Sequence, residues 1–167
     1  MFVRPILPED ERFYVRFMER MDPEDVRLRM FMAVREFSHQ FLARMTQIDY
    51  AREMAFIALR PDGNGDQEVL GGARFFADPD YEKGEYAVLI RSDLKGCGLG
   101  WLLMKHLISY AKSEGLKSLY GTVLSENATM LKMCRELGFN VRRDPDDETV
   151  YLVTLDLGSP GVVKLMQ

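Results

Sequence analysis

The chain is poor in the residues that build metal sites and covalent frameworks. Its two cysteines, Cys97 and Cys134, are too few for a disulfide scaffold. Its two histidines, His39 and His106, have no cysteine pair at ligand spacing, so no metal is expected. No apolar run approaches the roughly 20 residues that span a bilayer, and charges come too early at the amino terminus for a secretory signal. These absences point to the cytoplasm. Repeats, low-complexity segments and linkers are also missing. Neither sign of charge dominates: 22 basic and 26 acidic residues leave a formal charge of -4. That balance argues against nonspecific nucleic-acid binding and is compatible with basic protein or amine substrates. What is present is the composition of one globular domain, 47% hydrophobic and 29% charged, long enough to bury a substantial core. Eleven methionines suit adaptable filling of that core.

The most informative stretch runs from Glu85 to Tyr110. Glu85-Tyr86-Ala87-Val88-Leu89-Ile90-Arg91 has the length and apolar character of a strand. Lys95-Gly96-Cys97-Gly98-Leu99-Gly100 is a glycine-rich turn, and Trp101 to Tyr110 is an amphipathic helix. A strand feeding a glycine turn that opens a helix aims free backbone N–H groups at one point. The positive end of the helix dipole adds to them, which makes an anion site, most often for phosphate. A Walker loop is excluded because no Gly-Lys-Ser/Thr follows. A dinucleotide fingerprint is excluded because, counted from Gly96, its sixth place is never glycine.

What remains, Lys95-x-x-Gly98-x-Gly100, resembles the pyrophosphate loop of the GNAT acetyltransferase superfamily, Gln/Arg-x-x-Gly-x-Gly/Ala. Lysine at the first position keeps the charge and loses the planar fork of arginine. The resemblance continues downstream. Leu119 to Leu124 stands in the place of the following strand, Asn127 in the asparagine place, and Gly138-Phe139 closes the motif. Met130 occupies the usual alanine place and Cys134 the usual tyrosine place. The segment from about Gly71 to Leu157 can be laid on the superfamily pattern. A narrower resemblance, to the acetyltransferase domain of Pat-type protein lysine acetyltransferases, rests on Ala87 to Gly96 and on Arg4-Pro5, Ser38-His39 and Thr46 to Tyr50. In that family the domain usually sits in a longer chain beside an acyl-CoA synthetase-like part.

The resemblance implies an α/β (α+β) GNAT fold, with a central mixed, mostly antiparallel sheet flanked by helices. Residues 1–157 would be the single acetyltransferase domain and 158–167 a flexible tail. Local signals agree. Pro8-Glu9-Asp10-Glu11 and Asp22-Pro23-Glu24 open helices, and Ser38 caps one running to about Thr46. The turn cluster Pro61 to Asp66 joins two strands, and Gly115 suits a helix C-terminus. Arg27 and Arg29, mixed with Val26, Leu28, Met30 and Phe31, read as a solvated helix face.

The implied reaction is acetyl transfer from acetyl-CoA to an amine, with a protein lysine as the first expectation. A small amine, or acetyl-CoA sensing without catalysis, are the alternatives. A lysine amine is neutral about once in 2,500 at pH 7, so the site needs a base, an oxyanion donor and a phosphate cradle. The cradle is Lys95, Gly96, Cys97, Gly98, Leu99 and Gly100. By resemblance the oxyanion donor is a backbone N–H near Leu89. Ile90 and Arg91 would pair with the pantetheine amides, and Asn127 would touch the pantetheine arm or cap its helix. The expected base is Glu85, ten positions before Lys95, where lysine acetyltransferases of the superfamily place a glutamate. Its strand-face neighbours Ala87 and Leu89 suggest an apolar setting. His106 is expected to be a hydrogen-bonded core histidine, and Cys134 a small buried hydrophobe rather than an acid.

Overall fold

The computed structural model describes residues 1–30 and 38–158. In order come β1 (Phe2–Pro5), α1 (Glu11–Glu19), α2 (Pro23–Met30), α3 (His39–Thr46), β2 (Glu53–Pro61), β3 (Gln67–Ala77) and β4 (Lys83–Ile90). Then follow α4 (Leu99–Ser113), β5 (Ser118–Leu124), α5 (Ala128–Glu136), β6 (Asn140–Asp144) and β7 (Asp147–Asp156). Short 3-10 turns at Pro8–Asp10 and Ser92–Leu94 precede α1 and the glycine turn. Phe31, expected to extend the second helix, and the tail beyond Gly158 lie outside the described residues. None of the described helices is long and apolar enough to cross a membrane.

The strands form one seven-stranded sheet in the order β1-β2-β3-β4-β5-β7-β6, antiparallel except for β4 and β5. Period-two alternation divides its residues between two cores. On one face, Leu70, Ala73, Phe75, Tyr86 and Val88 pack under α4 and α5. On the other, Ile57, Leu59 and Val69 pack under α1 and α3 with Phe13, Phe17, Met18 and Leu42. The buried stripe of α4 is Leu99, Leu103, Met104, Leu107, Ile108 and Ala111, the spacing of one helix face. This corrects the reading of His106, which is exposed and lies 6.0 Å from the Phe56 ring. The stripe is rotated toward Met104 and Ile108, leaving position 106 at its edge.

One break in the sheet positions everything that follows. β4 pairs with β5 only through Lys83, Gly84 and Glu85, whereas its register with β3 runs unbroken to Ile90. Beyond Glu85 the two strands part into a fork. The Tyr86 ring lies across Gly121 of β5, where an added Cβ would sit 2.6 Å from the ring. The ring also packs 5.3 Å from Phe139. Glycine at 121 is therefore what lets a phenol lie across the root of the fork.

Candidate active site

A cleft of about 850 Å³ runs from the glycine turn along the open edge of β4 to Glu85 and α2. At its first end, Gly96 and Gly98 have φ of 83° and 87°, left-handed values that glycine adopts without penalty. Gly98 is the N-cap of α4, and no side chain caps the helix. Its first-turn N–H groups point into the cleft end with the positive dipole behind them. Gly100 serves a different purpose: a Cβ there would meet Met133 Sδ at 3.2 Å, so glycine lets α4 approach α5. Lys95 Nζ is held by Asp25 Oδ1 at 2.5 Å, which ties the turn to α2. Arg27 bridges Glu24 and Glu126, tying α2 to the segment before α5. Cys97 belongs to the turn but not to the cleft wall; it is exposed, with Sγ 2.7 Å from the Leu94 carbonyl.

The fork supplies the middle of the cleft. The Arg91 N–H donates to Leu70 O at 2.9 Å. Alternation along the unbroken register then directs the N–H of Leu89 to Gly72, and leaves Tyr86, Val88 and Ile90 facing the gap. Two sequence expectations change accordingly. The Leu89 N–H is committed to the sheet, although its residue lines the cleft. Arg91 turns away altogether: it is 2% exposed, its Nε and Nη2 bond Asp93 and its Nη1 bonds Glu68. Burial opposes that charge, and the two carboxylates raise the guanidinium pKa nonetheless. Of the three expected backbone contacts, Ile90 alone faces the gap.

Glu85 lies on the wall at the far end, where the fork begins. It is exposed rather than enclosed by apolar side chains, because Phe76 and Tyr120 beside it leave the carboxylate at the cleft mouth. Asn127 Oδ1 accepts from Met130 N at 3.2 Å, so it caps α5 while lining the cleft. Cys134 is buried with Sγ 3.1 Å from the Tyr86 hydroxyl. Burial raises the pKa of both, so each stays protonated at neutral pH. Among the other tyrosines, Tyr50 bonds the Ile6 carbonyl and does not line the cleft. Asp78 closes its own loop, accepting from the Glu82 and Lys83 N–H groups.

Sequence reasoning missed Arg29. It lines the cleft, is half-buried, and its pKa is lowered mainly by desolvation. The mixed polarity of α2 concealed it, because an arginine between apolar residues on a short helix looks like solvent-facing charge. Tyr86 and Gly121 were also missed as a pair; their contact joins elements that no local pattern connects.

Residues 19–139 match the family model described as Acetyltransferase (GNAT) family. The chain belongs to the GNAT acetyltransferase family. It is 34% identical over 157 residues to an acetyltransferase of Pseudomonas aeruginosa, covering 94% of this chain and 84% of that protein. It is 28% identical over 142 residues to the acetyltransferase Pat of Mycolicibacterium smegmatis, covering 82% of this chain but only 40% of Pat. The fold matches the GNAT domain of S. lividans PAT with a TM-score of 0.82 at 23% identity, over 92% of this chain and 89% of that one. GNAT acetyltransferases generally use acetyl-CoA. The uncapped helix end and the unpaired edge of β4 fit its phosphates and its amide-bearing arm, respectively.

Proposed function

We propose that this GNAT protein transfers an acetyl group from acetyl-CoA to an amine, with Glu85 as general base. The observation that carries this reading is the position of Glu85. It sits where β4 and β5 part, on the same cleft as the α4 N-terminus. In this reading the Gly96, Gly98, Leu99 and Gly100 backbone, with Lys95, holds the pyrophosphate. Lys95 then shares its ammonium between that group and Asp25. The gap-facing groups of Val88 and Ile90 bind the pantetheine amides, and one of the free N–H groups of the fork stabilises the thioester oxygen as it gains charge. Such a donor is worth about 3 kcal/mol of barrier. Asn127 holds the end of α5 against the arm.

Acetyl-CoA supplies an activated acyl carbon; the protein must supply a neutral amine. Glu85 takes the proton directly or through a water, for which its exposure leaves room. Retention of this carboxylate supports catalysis over acetyl-CoA sensing alone. For the acceptor, the likeness to Pat supports a protein lysine side chain. The half-buried Arg29, on the same cleft as Glu85, favours a second reading, a small anionic amine. Labelled acetyl-CoA, incubated with the protein and a cell lysate and followed by mass spectrometry, tests the reaction. Label on protein lysines supports the first acceptor and label in the small-molecule fraction the second. Bound acetyl-CoA without transfer to either rejects the enzyme.

A further inference from the structure

The Glu85 end of the cleft holds more positive charge than an amine acceptor calls for. Arg29, on the last turn of α2, makes no hydrogen bond or ion pair with any described residue. Its electrostatic neighbours are Tyr14, Arg74, Glu85 and Tyr86. Arg74 stands on β3 opposite Ala87, on the sheet face that Glu85 shares. It is 7% exposed, its Nη2 donates to Met45 O at 2.9 Å, and its Nη1 is buried without a hydrogen-bond partner among the described residues. Elsewhere Arg4, Arg27 and Arg91 all meet carboxylates. A desolvated guanidinium is costly, and a site that keeps two of them together with no carboxylate partner among the described residues is suited to receive an anion.

That anion is not the pyrophosphate. From Glu85 to Ile90 β4 covers roughly 17 Å at about 3.3 Å per residue, and the glycine turn lies further on. Of the electrostatic neighbours of Arg29, Glu85 and Tyr86 line the far wall, and none belongs to the glycine turn. Glu85 attracts Arg29 at longer range, but the two form no ion pair among the described contacts. The cleft therefore offers a carboxylate and a guanidinium, unpaired with each other, as the complement of a zwitterion. In a free α-amino acid one carbon separates the amine from the carboxylate. In a lysine side chain no anion stands near the amine.

We infer that the acceptor is a free α-amino acid, its carboxylate held by Arg29 and its amine directed to Glu85. Arg29 offers the planar fork that takes a carboxylate bidentately, and the charge of Arg74 behind it strengthens the field. In the transfer the new bond joins the amine nitrogen to the acetyl carbon. The carbon–sulfur bond breaks, CoA leaves with its electron pair, and the amine proton passes to Glu85. The inference rests on reading the cleft as an acetyl-transfer site.

The test presents the full chain and labelled acetyl-CoA with the twenty common L-amino acids, each as free acid and as C-terminal amide. A blocked neutral peptide with a single lysine completes the panel. At least one free acid is expected to be acetylated, with kcat/KM about 10- to 100-fold above its amide, the range of a charge-assisted hydrogen bond. Arg29→Gln is expected to close that gap, mainly through KM for the acid, and Arg29→Lys to restore part of it. Calorimetry should show acetyl-CoA bound by both variants as by the natural chain. Amides equal to acids, a preferred neutral peptide, or an acid–amide gap that persists in Arg29→Gln overturns the inference while leaving the acetyltransferase reading intact. Acetyl-CoA binding without turnover of any free acid overturns it too. Failure to bind acetyl-CoA overturns both readings together.

Discussion

The two ends of the cleft are built from different material. At the glycine turn the chain presents mainly backbone: left-handed Gly96 and Gly98 and an uncapped helix end, with Lys95 held by Asp25. At the other end it presents side chains, with Arg29 from α2, Phe76 from β3 and Glu85 from β4 meeting on one wall. Backbone donors are the same whatever the residue, so the first end depends on conformation and is indifferent to most side chains. The second depends on identity, because each group there comes from a separate element and nothing replaces it. A constant ligand suits the first end and a variable one the second.

The comparison can be broken most sharply at Glu85. Glu85→Gln keeps the size and loses the proton acceptor, so the acetyl-transfer rate should fall about 100- to 10,000-fold. Calorimetry should find acetyl-CoA affinity nearly unchanged. Weakened binding of acetyl-CoA in this variant would show that the two ends are not separable.

Gly98→Asp tests the opposite end. It forces a side chain into φ of 87° and sets a negative charge beside the phosphate position. The left-handed conformation alone costs about 1–2 kcal/mol. Acetyl-CoA affinity should fall by at least about tenfold with the circular dichroism spectrum retained. Gly98→Asn, which tolerates the left-handed region, should lose much less. Equal losses would mean that charge plays no part there.

Between the ends, Gly121→Ala drives a methyl group against the Tyr86 ring, where only 2.6 Å is available. Overpacking of this kind costs about 1–3 kcal/mol and should lower Tm in a thermal melt. Tyr86→Phe/Gly121→Ala should be no more stable than Gly121→Ala, since the clash involves ring carbons rather than the hydroxyl. A fully stable Gly121→Ala would remove the Tyr86 crossing as the support of the fork.

The smallest effects belong to Cys134. With its thiol buried against the Tyr86 hydroxyl, Cys134→Ala should keep acetyl transfer within about threefold, below the usual range of acid catalysis. A hundredfold loss in a folded variant would assign it a chemical role. Burial holds the pKa of Cys134 and Tyr86 above their ordinary values, so both bind protons more tightly in the folded chain. Their contribution to stability is complete below about pH 8.5 and is lost at higher pH, where the unfolded thiol and then the phenol release protons first. Urea melts between pH 8 and 10 (an arbitrary span, about the ordinary pKa values of the two groups) should show this decline. It should be shallower in a Cys134→Ala/Tyr86→Phe variant.

Much of the fold was legible because its signals are local. Ser38 accepts from Phe41 N as a helix cap should, Gly115 ends α4 with φ of 85°, and the turn after Pro61 joins an antiparallel pair. The glycine turn was legible for the same reason, since its conformation depends on half a dozen adjacent residues. Placements that depend on strand partners were not. Leu89 and Arg91 were expected to serve the cleft with their backbones, and only the β3 register shows their N–H groups turned the other way.

The sequence alone determined the fold family, the uncapped helix end and the carboxylate at the head of the central strand. Each is written in a short contiguous pattern whose physics is backbone geometry and periodicity. Tertiary structure decided where β4 leaves β5, which of its N–H groups stay free, and that Arg29 lines the same cleft as Glu85 without an ion pair among the described residues. Those outcomes depend on how α2, β3 and β4 converge. Residues 29, 74 and 85 stand on three separate elements, and their desolvation exists only once packing has brought those elements together.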